Sequence, residues 1–296
     1  MKVLSVQHTT IYRYRRPVRF GEHRGMLRPR DSHDLRLLKT ALVISPRAKV
    51  RWYHDVFSNS VMIATFEEEA DELRVDSRIR LAHYGNPTPE RLLAPFAETY
   101  PFCYPSDQIP DLSRTIERHY PDPKHLVESW AKEFLRGRGS VGTTDLLLDI
   151  TQAVRQGFTY AERTAHGTQS PVETLESRSG SCRDFALLMM EAVRSLGLAA
   201  RFVSGYLYDP ALDGDGPATI GAGATHAWVQ VFLPGAGWVE YDPTNGSVGG
   251  NNLIRVAVAR DPSQAVPIQG TYTGSPEDFL GMDVEVVVRS DAPDPS

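Results

Sequence analysis

Apolar and polar residues alternate through much of the first third of the chain, and this pattern predicts β-structure. From Leu73 to Leu81, apolar or small side chains take every second position and charged side chains take the positions between them. A period of two is typical of a strand with one buried face and one solvated face. Similar patterns predict strands at 35–44, 49–57 and 61–66, with a turn at 58–60.

Prolines interrupt the chain between residues 87 and 123, as is typical of a connector with short helices. Beyond this connector, the apolar residues recur at the 3.6-residue period of helices. Helices are expected at 124–135, at 145–156, from Pro171 onwards, and from Cys182 to a stop at Gly197. Strands are expected at 200–208, 226–232 and 238–242.

This order of elements predicts an α+β fold, because the helices precede an antiparallel sheet and do not alternate with parallel strands. Two further strands are expected at 253–258 and 282–288, where they would join either the N-terminal strands or the later sheet. We therefore divide the chain into a β-rich N-terminal region (1–115), a core of helices on an antiparallel sheet (116–248) and a C-terminal β extension (249–296).

Cys182 stands at the start of the most apolar predicted helix. Ser181 and Asp184 have the spacing of a capping box, which makes Cys182 the first residue of the first turn. The first N–H groups of a helix have no helical acceptor and carry about half a positive charge, which favours a thiolate there. Free cysteine also packs as a small apolar residue, so the position alone leaves a nucleophile and a core cysteine both open.

Two later residues can complete a catalytic group with Cys182. His226 opens one strand of a predicted hairpin, and Asp242 closes the other, with a turn at 234–237 between them. A cysteine at a helix start, a histidine and a carboxylate can act together as nucleophile, base and orienting residue.

The register of this hairpin decides whether the two side chains can meet. Opposed residues of an antiparallel pair share a face, and His226 opposes Asp242 only if paired residue numbers sum to 468. A sum of 471 would put the two side chains on opposite faces. We therefore predict a three-residue loop, Leu233-Pro234-Gly235, or a compensating bulge between Pro234 and Trp238.

Three segments in this order resemble the core of the transglutaminase-like superfamily, the bacterial branch of papain-like Cys-His-Asp enzymes. They are GSCRDFA at 180–186, THAW at 225–228 and YDPTN at 241–245. His8, Tyr12, Tyr14 and the segment LRPR at 27–30 resemble the region that precedes such cores, and the tail at 255–261 and 270–272 extends the resemblance. These motifs are specific for the superfamily and leave the reaction open.

The resemblance implies a papain-like core and thiol acyl transfer on an amide or peptide bond, with a peptide or protein as substrate and no cofactor. Cys182 would be the nucleophile, His226 the base and Asp242 the residue that holds the imidazole tautomer. The backbone N–H of Cys182 would be one oxyanion donor. Tyr160 is our candidate for the second donor, with a packed aromatic as the alternative. Asp184 is interpreted as a cap and not as a catalytic acid.

Composition limits the binding partners and the cellular location that we expect for the protein. The chain has 296 residues and a net charge of −5, which argues against nonspecific nucleic-acid binding. The basic stretch 13–39 lacks the regular interleaving of aromatic residues that a nucleic-acid platform has, and it is interpreted as a solvated face or a domain contact. Two cysteines, Cys103 and Cys182, form no disulfide framework, and no segment has the pattern of a signal peptide or membrane span. We expect a cytoplasmic protein.

Three alternatives accompany this interpretation. Cys182, His226 and Asp242 could bind zinc with an open fourth position, or the cleft could bind peptides without catalysis. The loop 209–216 alternates Asp and Gly as calcium loops do, but it lacks the closing Glu of an EF-hand, so we interpret it as a mobile loop beside the site.

Of the possible acyl acceptors, water is favoured over an amine. Neither glycine pair, at 137–139 or 249–250, has the spacing of a phosphate loop.

Overall fold

The computed structural model describes residues 1–85, 92–135, 137, 139–163, 167–213, 219–221 and 223–291, except for the side chains of residues 212 and 213. Its helices are α1 (Ile109–Ile116), α2 (Leu126–Glu133), α3 (Thr143–Gly157), α4 (Pro171–Ser177) and α5 (Cys182–Ser195). Its strands are β1 (Lys2–Arg28), β2 (Leu35–Ser45), β3 (Ala48–His54), β4 (Ser60–Phe66), β5 (Glu69–His83), β6 (Thr99–Tyr100), β7 (Val141–Gly142), β8 (Thr159–Tyr160), β9 (Ser179–Gly180), β10 (Ala200–Leu207), β11 (His226–Leu233), β12 (Gly237–Asp242), β13 (Ser247–Val248), β14 (Leu253–Ala259), β15 (Ile268–Thr273) and β16 (Phe279–Asp291). The predicted α+β class is confirmed. Within these described ranges, no helix is long and apolar enough to cross a membrane.

The long strand β1 organises the N-terminal sheet, whose strand order is β2-β5-β1-β4-β3. Its first half lies between β5 and β16, and its second half pairs mainly with β4 and β15. The ladder with β5 is interrupted between Arg13 and Val18, around Pro17, which has no N–H to donate. The sequence pattern did not predict β1, because the arginines between 13 and 19 break the alternation of apolar and polar residues.

The C-terminal strands join both sheets. β14 pairs with β10 in the core sheet, whereas β15 and β16 pair with β1 in the N-terminal sheet. Both expected placements of the tail therefore occur, each for a different segment.

The core sheet has the order β13-β12-β11-β10-β14 and packs against α5. α5 contacts β10 and β11 on one side and α2, α3 and α4 on others, so nearly all of its residues are buried. The predicted apolar stripe, with Phe185, Leu188 and Met189, lies within this buried surface. Because α5 is enclosed on several sides, its first residue has a fixed position relative to β11.

Polar contacts join the N-terminal sheet to the core. Nδ1 of His8 in β1 lies 3.0 Å from the hydroxyl of Tyr206 in β10, and Nε2 lies 3.0 Å from the hydroxyl of Thr10. Burial lowers the pKa of His8 to about 4, so its ring is neutral at pH 7. Asn59 adds a second link, because its side chain donates to the carbonyl of Val258 at 2.7 Å and accepts from the N–H of Val258 at 2.9 Å.

The hairpin of β11 and β12 has a different register from the predicted one. Its pairs run from Val229 with Tyr241 to Leu233 with Gly237, so the paired numbers sum to 470. The loop is 234–236, and the predicted loop at 233–235 was wrong by one residue. The physical reason is the turn itself, because Gly235 at its centre has a φ of 89°, which favours glycine. Since 470 is even, residues 226 and 242 still share a face.

Candidate active site

Cys182 is the first residue of α5, as the capping pattern predicted. The carboxylate of Asp184 accepts hydrogen bonds from the N–H and from the hydroxyl of Ser181, both at 2.8 Å. It also accepts from the guanidinium of Arg163 at 2.9 Å and from the N–H of Gln169 at 2.7 Å, and it is fully buried. Asp184 therefore anchors the start of the helix, in keeping with its interpretation as a cap.

Arg183 ties the same turn to the segment that follows β14. Its guanidinium donates to the carbonyls of Pro262 at 2.8 Å and Ala265 at 3.3 Å, and it lies 4.8 Å from the ring centre of Phe202. Burial lowers the pKa of Arg183, although nearby Cys182 and acidic groups oppose this shift. The backbone that carries Cys182 is thus held on both flanks, by Arg183 and by Asp184.

His226 and Asp242 form a buried pair. Nε2 of His226 lies 2.8 Å from Oδ2 of Asp242, and the two residues are 1% and 0% exposed. Burial by itself lowers the pKa of His226, but the charge and hydrogen bond of Asp242, together with Cys182, outweigh it and raise that pKa to about 10. At pH 7 the pair is therefore an imidazolium and a carboxylate.

Four hydrogen bonds hold the carboxylate of Asp242. Oδ1 accepts from the N–H groups of Thr244 at 2.9 Å and Asn245 at 3.3 Å, and Oδ2 accepts from His226 and from Nδ2 of Asn245, each at 2.8 Å. Burial raises the pKa of Asp242, but the charge of His226 and these bonds hold it below the ordinary range. A carboxylate has about four acceptor positions, so the plane of this one is fixed.

The second ring nitrogen of His226, Nδ1, is not bound by Asp242 and is therefore available to the thiol of Cys182. Nδ1 is buried and makes no hydrogen bond within the described part of the chain, while Cys182 is near enough to raise the pKa of the ring. Cys182 is itself buried, with 6% exposure. The structure thus brings Cys182, His226 and Asp242 together, with Asp242 bound to Nε2 of the imidazole.

Tyr160 lies beside the start of α5. β8 and β9 form a parallel bridge in which Tyr160 is the partner of Gly180, two residues before Cys182. Burial and then the charge of nearby Cys182 raise the pKa of Tyr160 to about 12, so its hydroxyl is protonated at pH 7 and can donate.

A buried network on the same face of the hairpin was not predicted. Glu240 accepts hydrogen bonds from the indole of Trp228, from Gln230 at 2.7 Å and from Arg255 at 2.7 Å. Burial raises the pKa of Glu240 despite the charge of Arg255. The indole of Trp228 is stacked near His226, with ring planes 29° apart and centroids 6.0 Å apart. The sequence did contain one signal for this network. Glu240 is two residues before Asp242 in a predicted strand, so the period of two places both side chains on the same face of the sheet.

The geometry bears directly on the predicted zinc alternative. Nε2 of His226 and Oδ2 of Asp242 bind each other at 2.8 Å, so these two atoms are not free to bind a metal ion in this arrangement. In the part of the chain that the structure describes, no group of three or more His, Cys, Asp or Glu residues is arranged to hold a metal ion.

The hypothetical calcium loop is described only in part. Asp209 is buried and accepts hydrogen bonds from the N–H groups of Ala211 at 3.0 Å and Thr219 at 2.7 Å, so its carboxylate is already bonded to the protein backbone. Residues 214–216 of this loop lie outside the described residues.

Comparison with known proteins places these residues in a family context. Residues 4–82 match the model of the bacterial transglutaminase-like N-terminal region, and residues 128–243 match that of the transglutaminase-like superfamily. An uncharacterized protein of Mycobacterium tuberculosis is 31% identical over 298 residues, which cover 95% of this chain and 91% of that protein. A shorter match, 33% identical over 69 residues, covers 23% of this chain and 10% of a protein-glutamine gamma-glutamyltransferase of Pseudomonas aeruginosa.

A solved structure shares the fold of this chain. The crystal structure of a candidate cysteine protease from Cytophaga hutchinsonii superposes with a TM-score of 0.69 at 19% identity. The superposition covers 100% of this chain and 92% of that protein. At this identity the likeness shows a common fold, which includes both the N-terminal sheet and the core.

Proposed function

Because this chain belongs to the transglutaminase-like superfamily, we propose that it is a cysteine-dependent acyl-transfer enzyme acting on amide or peptide bonds. The observation that carries the proposal is the buried imidazole of His226, which is held through Nε2 by Asp242 and has Cys182 beside it. A charged imidazole next to a thiol favours the thiolate, which is the nucleophilic form of cysteine.

In the first half of the reaction, Sγ of Cys182 attacks the carbonyl carbon of the substrate, and the carbonyl π electrons move to its oxygen. When the tetrahedral intermediate collapses, the carbon–nitrogen bond breaks and His226 gives its proton to the departing amine. The products of this half are a thioester on Cys182, a free amine and a neutral imidazole. Asp242 keeps the proton on Nε2 and leaves Nδ1 to exchange protons.

The negative oxygen of the intermediate needs hydrogen-bond donors. The backbone N–H of Cys182 is at the first position of α5, where no helical carbonyl accepts it. The protonated hydroxyl of Tyr160 is our second donor. Loss of a single donor of this kind typically costs about 2.7–4 kcal/mol of transition-state stabilisation, so Tyr160→Phe should lower kcat by roughly 10²–10³-fold.

Water is the acceptor that we propose for the second half. It gives a proton to Nδ1 of His226, its oxygen attacks the thioester carbon, and the carbon–sulfur bond breaks to regenerate Cys182. A primary amine is the second candidate acceptor, supported by the 69-residue match to a protein-glutamine gamma-glutamyltransferase. Incubation of a glutamine-containing peptide with and without a primary amine separates the two acceptors, because mass spectrometry distinguishes a deamidated product from an amine adduct.

The test of the proposal is the rate at which iodoacetamide alkylates Cys182 as a function of pH. Cys103 is exposed and serves as the internal control within each sample. We expect rapid labelling of Cys182 well below the ordinary thiol pKa of about 8.5, and loss of this rapid labelling in His226→Ala. Peptide mass spectrometry reads the two cysteines separately.

Two results would overturn the proposal. If Cys182 labels only above about pH 8, as an ordinary thiol does, the nucleophile loses its support. If Cys182 is reactive but a broad set of amides and peptides binds without turnover, the protein is a binding module with the fold of an enzyme.

A further inference from the structure

Asn245 joins the candidate triad to a neighbouring piece of backbone. Its Nδ2 donates to Oδ2 of Asp242 at 2.8 Å and to the carbonyl of Ile220 at 3.2 Å, while its Oδ1 accepts from the N–H of Ile220 at 3.1 Å. One side-chain amide therefore satisfies both backbone groups of Ile220 and one oxygen of the catalytic carboxylate.

The residue after Ile220 packs against the imidazole. Gly221 has a φ of 86°, and a Cβ added to it would lie 2.8 Å from Nδ1 and 3.3 Å from Cε1 of His226. The Gly221 backbone is therefore against the edge of the ring that carries Nδ1, on the far side from Asp242. Thr219, two residues before Gly221, donates its N–H to Asp209 at 2.7 Å, so the segment is held by hydrogen bonds at Thr219 and at Ile220.

We propose that Asn245 is a positioning residue that fixes the His226 imidazole from two sides. On one side it orients the Asp242 carboxylate that binds Nε2, and on the other it holds the 219–221 backbone against Nδ1. This inference rests on the proposed function, since it assigns Asn245 a part in keeping Nδ1 directed at Cys182.

The physical reason lies in how an imidazole can move. The ring of His226 can rotate about its Cβ–Cγ bond, and a small rotation turns Nδ1 away from the thiol while Nε2 leaves the carboxylate plane. Asp242 opposes this rotation only if its own plane is held, and Gly221 opposes it only if its backbone stays close. Misplacement of a reacting group by about 1 Å can cost about 10²-fold in rate, so a loss of at least tenfold is expected without Asn245.

Two variants of Asn245 test its hydrogen bonds to Asp242 and to Ile220. Asn245→Ala removes all three hydrogen bonds. Asn245→Asp keeps an acceptor for the N–H of Ile220 and replaces the donor to Asp242 by a like charge. Asn252→Ala is the matched control, because the side chain of Asn252 accepts only a long hydrogen bond, from Lys2 at 3.4 Å, among the residues that the structure describes. Should Asn245→Ala fail to fold, Asn245→Ser is measured in its place.

The first readout is the Nε2 proton of His226, observed by NMR on histidine labelled with ¹⁵N and assigned by its loss in His226→Gln. We expect a slowly exchanging, hydrogen-bonded proton in the wild type and in Asn252→Ala, and at least tenfold faster exchange in both Asn245 variants. This measurement requires no substrate and no turnover. Failure of the proposed function, seen as an unreactive Cys182, is therefore distinguishable from failure of this inference.

The second readout is kinetic. We expect kcat to fall at least tenfold in Asn245→Ala with KM changed less than threefold, and the pH profile of Cys182 alkylation to shift relative to the wild type. If the variants lose only thermal stability, while proton exchange and the pH profile superimpose on those of the wild type, Asn245 is a structural residue and the inference is wrong.

Discussion

His226 and Asp242 lie diagonally, not opposite, on β11 and β12, yet Nε2 of His226 is 2.8 Å from Oδ2 of Asp242. Continuing the register of the hairpin places Asp242 opposite Trp228, two residues from His226. Diagonal neighbours across a sheet are about 7–8 Å apart, a distance that an imidazole and a carboxylate can span end to end. The pair therefore needs neither direct opposition nor a bulge.

Asp242→Asn is expected to lower the pKa of His226, because burial then acts without the carboxylate charge. In the wild type, the raised pKa of about 10 gives stability that is complete below the ordinary pKa near 6.5 and is lost as pH rises through about 10. The stability advantage of the wild type should therefore shrink between about pH 7 and pH 10 in urea unfolding. Asp283→Asn, which alters an exposed ion pair with Arg13, should show no such trend. If the stability difference between the wild type and Asp242→Asn stays constant between about pH 7 and pH 10, His226 and Asp242 do not form a charged pair.

Glu240→Ala is expected to lower the free energy of unfolding by about 1–3 kcal/mol, because Arg255 loses its nearest carboxylate, although it keeps the ion pair with Asp34. It also leaves the indole N–H of Trp228 without an acceptor. Urea unfolding at pH 7 measures the change. The control is Glu67→Ala, which removes an exposed ion pair with Lys49 and should change stability little. Equal effects of the two substitutions would show that the Glu240 network contributes no more than a surface pair.

Gly205→Ala is expected to destabilise the core sheet beside the candidate site. An added Cβ would lie 2.1 Å from the carbonyl oxygen of Ile254 and 2.7 Å from Cη2 of Trp228. Overpacking of this kind costs about 1–3 kcal/mol or more, and Gly205 is the strand partner of His226, so alkylation of Cys182 should slow as well. Gly139→Ala is the control, because no atom of the described residues lies within 4 Å of a Cβ there. Equal stability of the two variants would show that Gly205 does not lie this close to Ile254 and Trp228.

His8 makes stability depend on pH in mildly acidic solution. Its folded pKa of about 4 is below the ordinary value of 6.5, so its contribution is present above about pH 6.5 and is lost as pH falls toward 4. Between about pH 7.5 and pH 5, this amounts to about 2 kcal/mol. His8→Gln cannot be protonated, so its free energy of unfolding should fall less over the same interval. Parallel decreases in the two proteins would show that His8 is not held neutral in the fold.

The start of α5 was accessible from the sequence because its signals are local. Ser181 and Asp184 are three residues apart, and the apolar period that follows Cys182 is regular. The nucleophile helix therefore begins at the predicted residue. The loop of the β11–β12 hairpin was misplaced by one residue because Pro234 and Gly235 both favour a turn and fit either loop. The position of the loop follows from the hydrogen bond from the N–H of Ala236 to the carbonyl of Leu233 at 3.0 Å, which places Pro234 and Gly235 at the centre of the turn.

The surroundings of the site could not be derived in the same way. Arg255 reaches Glu240 from β14 and also binds Asp34 at 3.2 Å from the connection between β1 and β2. These partners are separated by up to 221 residues in sequence, and no local pattern connects them. Asn245 was visible as part of the YDPTN segment, but its bonds to Ile220 depend on a loop whose path no periodicity predicts.

Pairing between β1 and β16 makes assembly of the N-terminal sheet depend on almost the entire chain. Val3 pairs with Asp291 and Tyr14 with Phe279, so one edge of β1 stays open until the last described strand has left the ribosome. Contacts this distant in sequence slow folding, and an open strand edge is prone to pair with other chains. A chain that stops before Phe279 retains Cys182, His226 and Asp242 but exposes this edge. Aggregation during synthesis, seen as a low soluble yield, is therefore the first defect that we expect from such a truncation.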